Sequence, residues 1–347
     1  MRIAIDAREL RGKPTGVGRF LAGLLAAWKT LPKAQPHEFV PLAPGGSESK
    51  GGTLWEQMVL PSLARDAGAD VLFAPAYSGP VLPPMPMVVA IHDVSFAAHP
   101  DWFSWREGAR RRTVSRLSAR AAARVITISE FSKREIAAHL GIETEKITVV
   151  YPGIPDVQSP RVLRAGDAPT VLFVGSIFNR RHVPELIEGF ARLARHRPGI
   201  RLEIVGDNRT SPRVNLESIV RTSGLGDRIG LRSYVPDEEL QSLYATSAAF
   251  VFLSEYEGFG LTPLEALASG LPVVLLDTAV AREVCGDAAR YVARPDPALL
   301  EDALGAVLFD AAERQRIAVA ATRVLARYSW TDCATRVLRV LLEAPAP

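Results

Sequence analysis

Short apolar segments rich in β-branched residues alternate with longer helical patterns along most of the chain. In the first half, the apolar segments are Ile3–Asp6, Phe39–Leu42, Val71–Phe73, Met87–Ile91, Val125–Ile128 and Ile147–Val150. The helical patterns between them include Gly18–Thr30, Ser104–Ala122 and Phe131–Leu140. Apolar strands joined through helices are typical of a parallel sheet that is covered on both faces. The alternation therefore predicts a doubly wound α/β fold.

A segment rich in Pro and Gly interrupts this alternation between Tyr151 and Pro169. The alternation then restarts, with apolar segments at Thr170–Ser176, Arg201–Asp207, Ala248–Ser254 and Pro272–Asp277. A chain of 347 residues is about long enough for two domains. We therefore predict two Rossmann-like domains, residues 1–160 and 166–328, that face each other across a ligand-binding cleft.

The composition excludes several other classes of protein. Hydrophobic residues make up 48% of the chain and charged residues 23%, and the net charge of +3 is too small to indicate nucleic-acid binding by itself. No apolar run approaches the roughly 18 residues of a membrane-spanning helix, and the N-terminus lacks the pattern of a signal peptide. The two cysteines, Cys285 and Cys333, lie in unrelated contexts. We therefore expect a cytoplasmic protein without a disulfide framework or a metal cage.

The segment Ser254–Val274 carries the strongest indication of function. An apolar strand ends there, a loop with Gly258 and Gly260 follows, and a helix begins near Thr262. Glycines let the backbone approach an anion closely, and the first amides of a helix attract negative charge. The segment therefore predicts a phosphate-binding loop.

Two glutamates, Glu257 and Glu265, bracket this loop. A carboxylate can accept hydrogen bonds from two neighbouring hydroxyls, as on a sugar or a ribose. For Glu265 a structural alternative exists, because Thr262–Glu265 matches a capping box with Pro263 at the first helical position. Glu257 lies beside a glycine in a loop and has no comparable structural explanation. Both glutamates are therefore candidate binding residues.

A second candidate anion site follows the strand that starts the second half. The strand ends at Gly175, and Arg180 and Arg181 precede the next helix. Two adjacent guanidinium groups can neutralise a diphosphate, each charge-assisted hydrogen bond contributing about 1.5–3 kcal/mol. The alternative is a pair of solvated surface arginines. The chain contains no D-x-D sequence, the usual carboxylate motif for a metal-bound diphosphate, so we expect metal-independent stabilisation of the leaving group.

Two further candidates lie in the first half. Gly16 and Gly18 can form an anion-binding turn at the start of a helix. A nicotinamide-dinucleotide fingerprint is excluded, because Leu21 stands where a third small residue is needed and no acidic residue follows the second strand. His92 follows the strand Met87–Ile91, at a sheet edge where α/β proteins bind ligands, although a structural hydrogen bond is the alternative.

In these segments the sequence resembles the family-4 retaining glycosyltransferases of the GT-B fold. The shared features are a pair of glutamates separated by seven residues and the motifs "GFG", "PLEA" and "PVV" in that order. All of them lie within Ser254–Val274. Further similar segments are Thr15–Phe20, Ile91–Phe96 and Ile128–Ile136, so the resemblance covers most of the chain. It implies a GT-B fold, retention at the anomeric carbon, no cofactor besides a nucleoside-diphosphate sugar, and a last helix, 331–345, that packs back on the N-terminal domain.

The resemblance also implies a role for each candidate residue. Glu257 and His92 would contact the transferred sugar, and Glu265 would bind the ribose hydroxyls. Related enzymes carry Arg-Lys where this chain has Arg180 and Arg181, so the charge on the leaving diphosphate is kept while the geometry changes. The residues expected to form the donor-binding site are Gly16, Gly18, Gly175, Gly258, Phe259, Gly260, Leu261 and Glu265.

The donor and acceptor follow less directly from the sequence. The segments "TGVGRF" and "IHDVSF" resemble those of bacterial mannosyltransferases of polysaccharide assembly, so GDP-mannose is favoured and a UDP-sugar comes next. The expected acceptor is a saccharide or a lipid-linked molecule. A nucleotide-sugar epimerase of the same fold and a non-catalytic sugar-nucleotide-binding protein are the alternatives.

The segment Pro100–Val125 is unusually basic. Its arginines at four-residue spacing, which predict a stripe on one helix face, are Arg112, Arg116, Arg120 and Arg124. They follow three aromatic residues, Trp102, Phe103 and Trp105. This combination suits an anionic membrane surface or a lipid-linked acceptor, and a solvated helix with buried aromatics is the alternative. Nucleic-acid binding is not expected, because no recognition motif accompanies the arginines.

Overall fold

The structure is a computed structural model that describes residues 1–12, 16–45, 52–154 and 168–344. The chain forms two compact units, unit 1 with Met1–Gly153 and Tyr328–Pro347, and unit 2 with Ile154–Arg327. Each unit contains a six-stranded sheet in which every strand pairs in parallel with its neighbours. The predicted α/β fold with two parallel sheets is confirmed. Most of the predicted linker, residues 155–167, lies outside the described residues.

The six strands of unit 1 are β1 (Arg2–Asp6), β2 (Glu38–Leu42), β3 (Val71–Ala74), β4 (Met87–Ala90), β5 (Arg124–Thr127) and β6 (Ile147–Val149). They match the predicted segments within two residues at each end, because their apolar runs are buried: every residue of β3 and β4 is buried. Their order in the sheet is β2-β1-β3-β4-β5-β6. The order reverses between β1 and β3, and we call such a place the switch point of a sheet.

The helices of unit 1 that follow these strands are α1 (Gly16–Thr30), α2 (Leu60–Asp66), α3 (Ser95–Ala98), α4 (Trp105–Ala121) and α5 (Glu130–Leu140). A π-helical turn, Trp55–Val59, leads directly into α2. α5 shows why such helices begin and end where they do. Ser129 accepts a hydrogen bond from the Ser132 amide at the start, and Gly141 adopts a left-handed φ of 63° at the end.

The basic segment differs from its prediction in two respects. α4 ends at Ala121 and Ala122 is extended, so Arg124 belongs to β5, where it pairs with Val88, and the stripe on the helix stops at Arg120. Of the three aromatic side chains, Trp102 stacks on His99 and Phe103 packs on the hydrophobic core, while Trp105 is exposed. Trp102 and Phe103 are half-buried, so the alternative of buried aromatics describes them in part and does not describe Trp105.

Unit 2 repeats the architecture. Its strands are β7 (Thr170–Val174), β8 (Arg201–Val205), β9 (Ile229–Arg232), β10 (Ala249–Phe252), β11 (Val273–Leu276) and β12 (Arg290–Val292). Its helices are α6 (Val183–His196), α7 (Leu216–Thr222), α8 (Asp237–Thr246), α9 (Leu261–Ala268), α10 (Ala279–Cys285), α11 (Pro297–Phe309) and α12 (Ala311–Leu325). The sheet order is β12-β11-β10-β7-β8-β9, so the switch point lies between β7 and β10.

The last helix, α13 (Trp330–Leu342), belongs to unit 1 and packs on α1. The indole of Trp28 on α1 donates a hydrogen bond of 3.0 Å to the Ala334 carbonyl. The Trp330 side chain lies where a Cβ on Gly23 or Gly153 would be, so only glycine fits at these two positions. α13 is thus fixed to the N-terminal unit.

Candidate active site

The predicted site residues of unit 2 lie at the carboxyl ends of β7 and β10. Gly175 follows β7, and Ser254 to Gly258 follow β10. These two strands are neighbours, although their sequences lie far apart, and they border the switch point. Open α/β sheets bind ligands at this place because the loops on either side diverge and leave a crevice.

Arg181 and Glu257 form an ion pair across the switch point. Nε and Nη2 of Arg181 donate to Oε1 of Glu257 at 3.0 and 2.7 Å, and Nη1 donates to the Ser176 carbonyl at 2.7 Å. The guanidinium also lies over the Phe252 ring, 4.7 Å from its centroid. Ser254 donates to the same Glu257 oxygen at 2.7 Å. The arginine and the glutamate are therefore held in fixed orientations.

Gly175 makes this arrangement possible. Its φ of 146° lies in a region that side chains disfavour, and a Cβ here would lie 2.7 Å from Nη1 of Arg181. A larger residue would push the guanidinium away from the Ser176 carbonyl. Gly175 therefore leaves room for the Arg181 guanidinium, which is a structural reason for a glycine at this position.

One sequence-based alternative and one sequence-based interpretation are wrong for this pair. Arg181 is not a solvated surface residue, since only 12% of its side chain is exposed. Glu257 does have a structural partner, because strand order places it against an arginine 76 positions earlier in the chain. Arg180, the other member of the basic pair, lies over the Phe178 ring at 4.2 Å, and its carbonyl accepts from the Glu255 amide.

The glycine loop leads into α9 in a different way from the capping-box prediction. Gly260, with a φ of 99°, is the N-cap, and the helix begins at Leu261 without a side-chain cap. Thr262 is therefore inside the first turn, and the capping box is wrong because the left-handed glycine starts the helix earlier. Glu265 accepts a hydrogen bond from the Tyr244 hydroxyl at 3.2 Å instead. Its contact with a ribose stays a prediction.

A pocket with about 320 Å³ of empty volume opens at the ends of β10 and β11. Glu257, Phe259 and Gly260 line it together with Ser254 and Pro263. Most of the other lining residues are apolar and come from the end of β10, the end of β11 and α10. The pocket thus combines a carboxylate, the start of a helix and apolar surface, which suits a ligand with polar and flat apolar parts.

His182 is a site residue that the sequence did not indicate. It adopts a left-handed φ of 50°, uncommon for a non-glycine residue, directly after Arg181. Its Nε2 lies 2.8 Å from Glu255 and its Nδ1 lies 3.4 Å from Glu185. Burial disfavours the charged imidazole, but the two carboxylates outweigh burial and raise the pKa of His182 above its ordinary value. His182 therefore ties the arginine loop to the loop after β10.

The predicted residues of unit 1 lie around α1 and the end of β4. Gly16 and Gly18 fall in the first turn of α1, while Thr15 lies outside the described residues. His92 is buried, its Nε2 is 2.8 Å from the Pro75 carbonyl, and its ring meets Phe20 of α1 edge-on at 5.1 Å. Burial lowers the pKa of His92, so the ring is neutral and donates through Nε2. This is the structural hydrogen bond of the alternative, and the sugar contact stays a prediction.

The switch point of unit 1 carries a buried charge cluster. Nε and Nη2 of Arg8, just after β1, donate to the Asp6 carboxylate at 2.6–2.9 Å. Nη2 also donates to Glu56 at 2.6 Å, and Glu56 accepts from Ser78 at 2.9 Å. No pattern in the sequence predicts this cluster, because Glu56 lies 48 positions after Arg8.

Two features are absent from the described residues, a membrane-spanning helix and a cluster of metal ligands. No helix among the described residues is long and apolar enough to cross a membrane. Across the same part of the chain, no group of three or more His, Cys, Asp and Glu side chains could hold a metal ion.

Comparison with protein families places the chain in a known class. The family model "Glycosyl transferases group 1" matches residues 156–324, and "Glycosyltransferase Family 4" matches residues 21–158. The solved structure of HepE from Anabaena with UDP and glucose has a TM-score of 0.73 at 18% identity, with 99% of each chain covered. WaaG, a glycosyltransferase of lipopolysaccharide biosynthesis, has a TM-score of 0.71 at 19% identity and covers 99% of this chain and 100% of its own. The chain belongs to the glycosyltransferases of group 1 and family 4 and has their GT-B fold, as the resemblance predicted.

Curated relatives agree with this class. Glycogen synthase of Mycobacterium tuberculosis is 30% identical over 270 residues, which cover 75% of this chain and 64% of that protein. O-antigen chain mannosyltransferase B of Escherichia coli is 28% identical over 269 residues, which cover 72% of this chain and 68% of that protein. The chain thus spans slightly less than two thirds of the glycogen synthase.

Proposed function

We propose that the protein transfers a hexose from a nucleoside-diphosphate sugar to a saccharide or lipid-linked acceptor, with retention at the anomeric carbon. The observation that carries this proposal is the Arg181–Glu257 pair at the switch point of unit 2, beside a pocket that the start of α9 lines. A cation and a helix start suit a diphosphate, and a carboxylate suits sugar hydroxyls. Relatives named as glycogen synthase and mannosyltransferase, and HepE solved with UDP and glucose, support the same class.

The reaction breaks the bond between the anomeric carbon and a phosphate oxygen. Negative charge grows on the leaving diphosphate while positive charge grows on the sugar ring. Arg180, Arg181 and the first amides of α9 stabilise the first charge, and the Glu257 carboxylate suits the second. In this mechanism the leaving phosphate accepts the proton of the acceptor hydroxyl on the same face, which retains configuration without an enzyme nucleophile.

The ion pair leaves Arg181 able to bind a ligand. A guanidinium has five N–H groups, and three of those on Arg181 donate to Glu257 and Ser176. The other two can donate to a phosphate oxygen while the pair stays intact. Glu257 then has two roles, since it orients Arg181 and presents a carboxylate to the sugar.

The favoured donor rests on the resemblance of two sequence segments to bacterial mannosyltransferases, and the proposed conditions rest on the phosphate contacts. GDP-mannose is the favoured donor and a UDP-sugar the next, and we propose that no metal ion takes part, because cationic side chains and a helix start provide the phosphate contacts. The two cysteines are free and buried, which favours a reducing cytoplasmic location.

A thermal-shift series tests the donor site. The purified protein is melted with GDP, UDP, dTDP, ADP or NAD, each with and without EDTA. A ligand that binds only the folded state raises the free energy of unfolding by mass action, by about 2.7 kcal/mol when its concentration is one hundred times its Kd. The melting temperature rises accordingly. We expect one nucleoside diphosphate, GDP before UDP, to give the largest shift, unchanged by EDTA. A shift with NAD alone, or one lost on chelation, would contradict the proposal.

The Glu257→Gln variant separates the two roles of Glu257. If the carboxylate acts on the sugar, removing its negative charge beside Arg181 strengthens binding of the nucleoside diphosphate and lowers donor turnover roughly 100-fold. If Glu257 only orients Arg181, both diphosphate binding and turnover fall. A variant with unchanged turnover of GDP-mannose and UDP-glucose would exclude a catalytic role for this residue.

A further inference from the structure

One carboxylate at the carboxyl edge of the unit 1 sheet, that of Asp93, forms no ion pair with a basic side chain among the described residues. Asp93 lies just after β4, which ends at Ala90, and its side chain is half-buried. Other carboxylates at strand ends are paired with arginine: Asp6 with Arg8, Asp207 with Arg209, Glu257 with Arg181 and Asp277 with Arg282. Partial burial of a carboxylate without a cation costs free energy, so this exception needs an explanation.

Two hydrogen bonds fix the orientation of the Asp93 carboxylate. The Tyr77 hydroxyl donates to Oδ2 at 2.7 Å, and the Ser95 amide donates to Oδ1 at 2.9 Å. A carboxylate oxygen can accept two hydrogen bonds, so each oxygen keeps one accepting position. Two accepting positions side by side match two neighbouring hydroxyls of a sugar ring. The Asp93 carboxylate is therefore oriented in a way that suits a diol.

Tyr77 contacts Asp93 from a strained backbone conformation. Its φ is 66°, and His182 is the other non-glycine residue with a positive φ in the part of the chain that the structure describes. Bulky side chains rarely adopt this conformation, and residues that do are concentrated at functional sites. The Tyr77 amide donates to the Ala90 carbonyl at 2.8 Å, and its ring meets that of His92 edge-on at 5.6 Å. These contacts hold the strained conformation and direct the hydroxyl at Asp93.

A structural tie between two loops is the alternative explanation of the Tyr77–Asp93 bond. An asparagine in place of Asp93 would make the same turn, because its side-chain oxygen also accepts from the amide two positions ahead. Its side-chain nitrogen would donate to the Tyr77 hydroxyl, and no charge would be partly buried. A tie therefore does not require the negative charge of Asp93, and the charge indicates a ligand.

We propose that Asp93 binds two neighbouring hydroxyls of a saccharide acceptor and that Tyr77 positions its carboxylate. The inference rests on the proposed transferase function and narrows the acceptor to a sugar that carries a vicinal diol. The acceptor site then lies at the carboxyl edge of the sheet, where open α/β sheets bind ligands. Asp93 takes no proton in the reaction, because the proton of the reacting hydroxyl passes to the leaving phosphate. Its role is to hold the acceptor sugar in place.

Initial rates of nucleoside-diphosphate release test the proposal with the full chain. GDP-mannose and UDP-glucose serve as donors, and the acceptors are water alone and the methyl α-glycosides of mannose, glucose, galactose and N-acetylglucosamine. We expect at least one glycoside to raise the rate above that of donor hydrolysis. For this glycoside, Asp93→Asn should raise the KM at least about tenfold, the loss expected for hydrogen bonds to a charged group.

The donor-side parameters of Asp93→Asn supply an internal control. Its rate of donor hydrolysis and its donor KM should match those of the wild type, because water needs no contact with Asp93. If the wild type hydrolyses the donor but uses none of the glycosides, the proposed acceptor class is wrong and the proposal is overturned.

Deoxy analogues of the accepted glycoside locate the diol. An analogue that lacks one of the two bound hydroxyls should show a smaller difference in KM between the wild type and Asp93→Asn, because part of the contact is already lost. A difference that is the same for every analogue would mean that Asp93 does not touch the sugar.

Two further variants of unit 1 complete the test. Tyr77→Phe removes the hydroxyl but keeps the ring, so the acceptor KM should rise about threefold while kcat changes little. Asp70→Asn is the matched control, because the Asp70 carboxylate accepts from the Arg2 amide at 2.7 Å but precedes β3, at the opposite edge of the same sheet. Its acceptor KM should equal that of the wild type. If Asp70→Asn raises the KM as strongly as Asp93→Asn, the effect does not come from a contact with Asp93.

Folding and donor binding are measured for each variant alongside. Unchanged melting temperatures and nucleoside-diphosphate shifts, together with a raised acceptor KM, support the assignment of Asp93 to the acceptor. A lower melting temperature with equal losses for water and every glycoside would show that the Tyr77–Asp93 bond is only a structural tie. If the wild type neither binds a nucleoside diphosphate nor hydrolyses a donor, the proposed function itself fails, and the acceptor site fails with it.

Discussion

The two sheets place charged side chains at equivalent switch points but enclose them differently. In unit 1, Asp6, Arg8 and Glu56 are at most 8% exposed. In unit 2, the side chains of Arg181 and Glu257 are 12% and 21% exposed and lie beside a pocket. The same topology therefore carries a sealed cluster in one unit and an accessible pair in the other.

This difference indicates different roles for the charges. A buried cluster of one arginine and two carboxylates has exchanged water for mutual hydrogen bonds, so removing one member leaves an uncompensated buried charge. A partly exposed ion pair can exchange a protein partner for a ligand at a small cost in free energy, because water and substrate reach it. We therefore expect the unit 1 cluster to control stability and the unit 2 pair to control turnover.

Replacing Arg8 by Met gives the largest expected effect. Asp6 and Glu56 would remain buried without their cation, so the free energy of unfolding should fall by about 3–5 kcal/mol. Urea unfolding followed by circular dichroism measures the change. Arg336→Met is the control, because the Arg336–Asp332 pair of α13 is more than half exposed and should contribute no more than about 0.5 kcal/mol.

The opposite result for Arg8 would break the comparison. If Arg8→Met unfolds like the wild type but loses donor turnover, the unit 1 cluster is part of the reaction site. Its burial would then serve ligand binding, and the two switch points would have the same kind of function.

Replacing Arg181 by Ala is expected to act mainly on turnover. Loss of its positive charge should lower kcat/KM for the nucleotide sugar roughly 100-fold, and the remaining exposure of Glu257 should limit the loss of stability to about 1–2 kcal/mol. Initial rates of nucleoside-diphosphate release and urea unfolding measure the two effects. Arg181→Lys keeps the charge but loses the fork that reaches both Glu257 and Ser176, so its activity should lie between those of Arg181→Ala and the wild type.

Gly175→Ala supplies an independent check on the same pair. The added Cβ displaces the Arg181 guanidinium without changing any charge, so its activity should fall in the same direction as in Arg181→Ala. If Gly175→Ala and Arg181→Ala both retain wild-type turnover, the pair is structural and the proposed role of the unit 2 switch point is wrong.

The sequence predicted the strands well because both faces of a parallel strand are buried. Apolar runs such as Val71–Phe73 therefore stand out without reference to partners. The loop before α9 was predictable for another local reason, because its glycines allow backbone angles such as the φ of 99° at Gly260. Features that depend on one short segment are thus visible in the sequence.

Features that depend on strand order were not visible. Arg181 meets Glu257 only because β7 and β10 are neighbours, and Arg8 meets Glu56 only because the sheet reverses after β1. Charged residues are usually exposed, so nothing local marks those that the fold buries. The arginine spacing in α4 failed for a further reason: no glycine or proline marks the helix end before Arg124.

His182 gives a smaller, pH-dependent effect at the accessible switch point. Its pKa is raised above the ordinary value of about 6.5, so its stabilising bonds to Glu185 and Glu255 are fully present below that pH. The stabilisation is lost as the pH rises through the raised pKa. We expect the wild type to be more stable than His182→Asn by at most about 1 kcal/mol near pH 6, and the difference to vanish in mildly alkaline solution.

Asn is the appropriate replacement because it tolerates the left-handed φ of His182. Urea midpoints of both proteins at a series of pH values give the difference, from which groups common to both proteins cancel. A difference that is constant with pH would mean that His182 acts through packing alone, and one that grows with pH would contradict the raised pKa.

The smallest effect is expected for Thr262→Ala. Gly260 caps α9, so the Thr262 hydroxyl caps nothing, and the free energy of unfolding should change by less than about 0.5 kcal/mol. Asn215→Ala is the matched control, because the Asn215 side chain accepts from the Ser218 amide at 2.8 Å and should contribute about 1 kcal/mol. If Thr262→Ala destabilises the protein as much as Asn215→Ala, α9 begins at a capping box after all. A side chain would then accept hydrogen bonds from the first amides of α9. Those amides would be less able to bind a diphosphate, and the charged groups of both switch points would be paired within the protein.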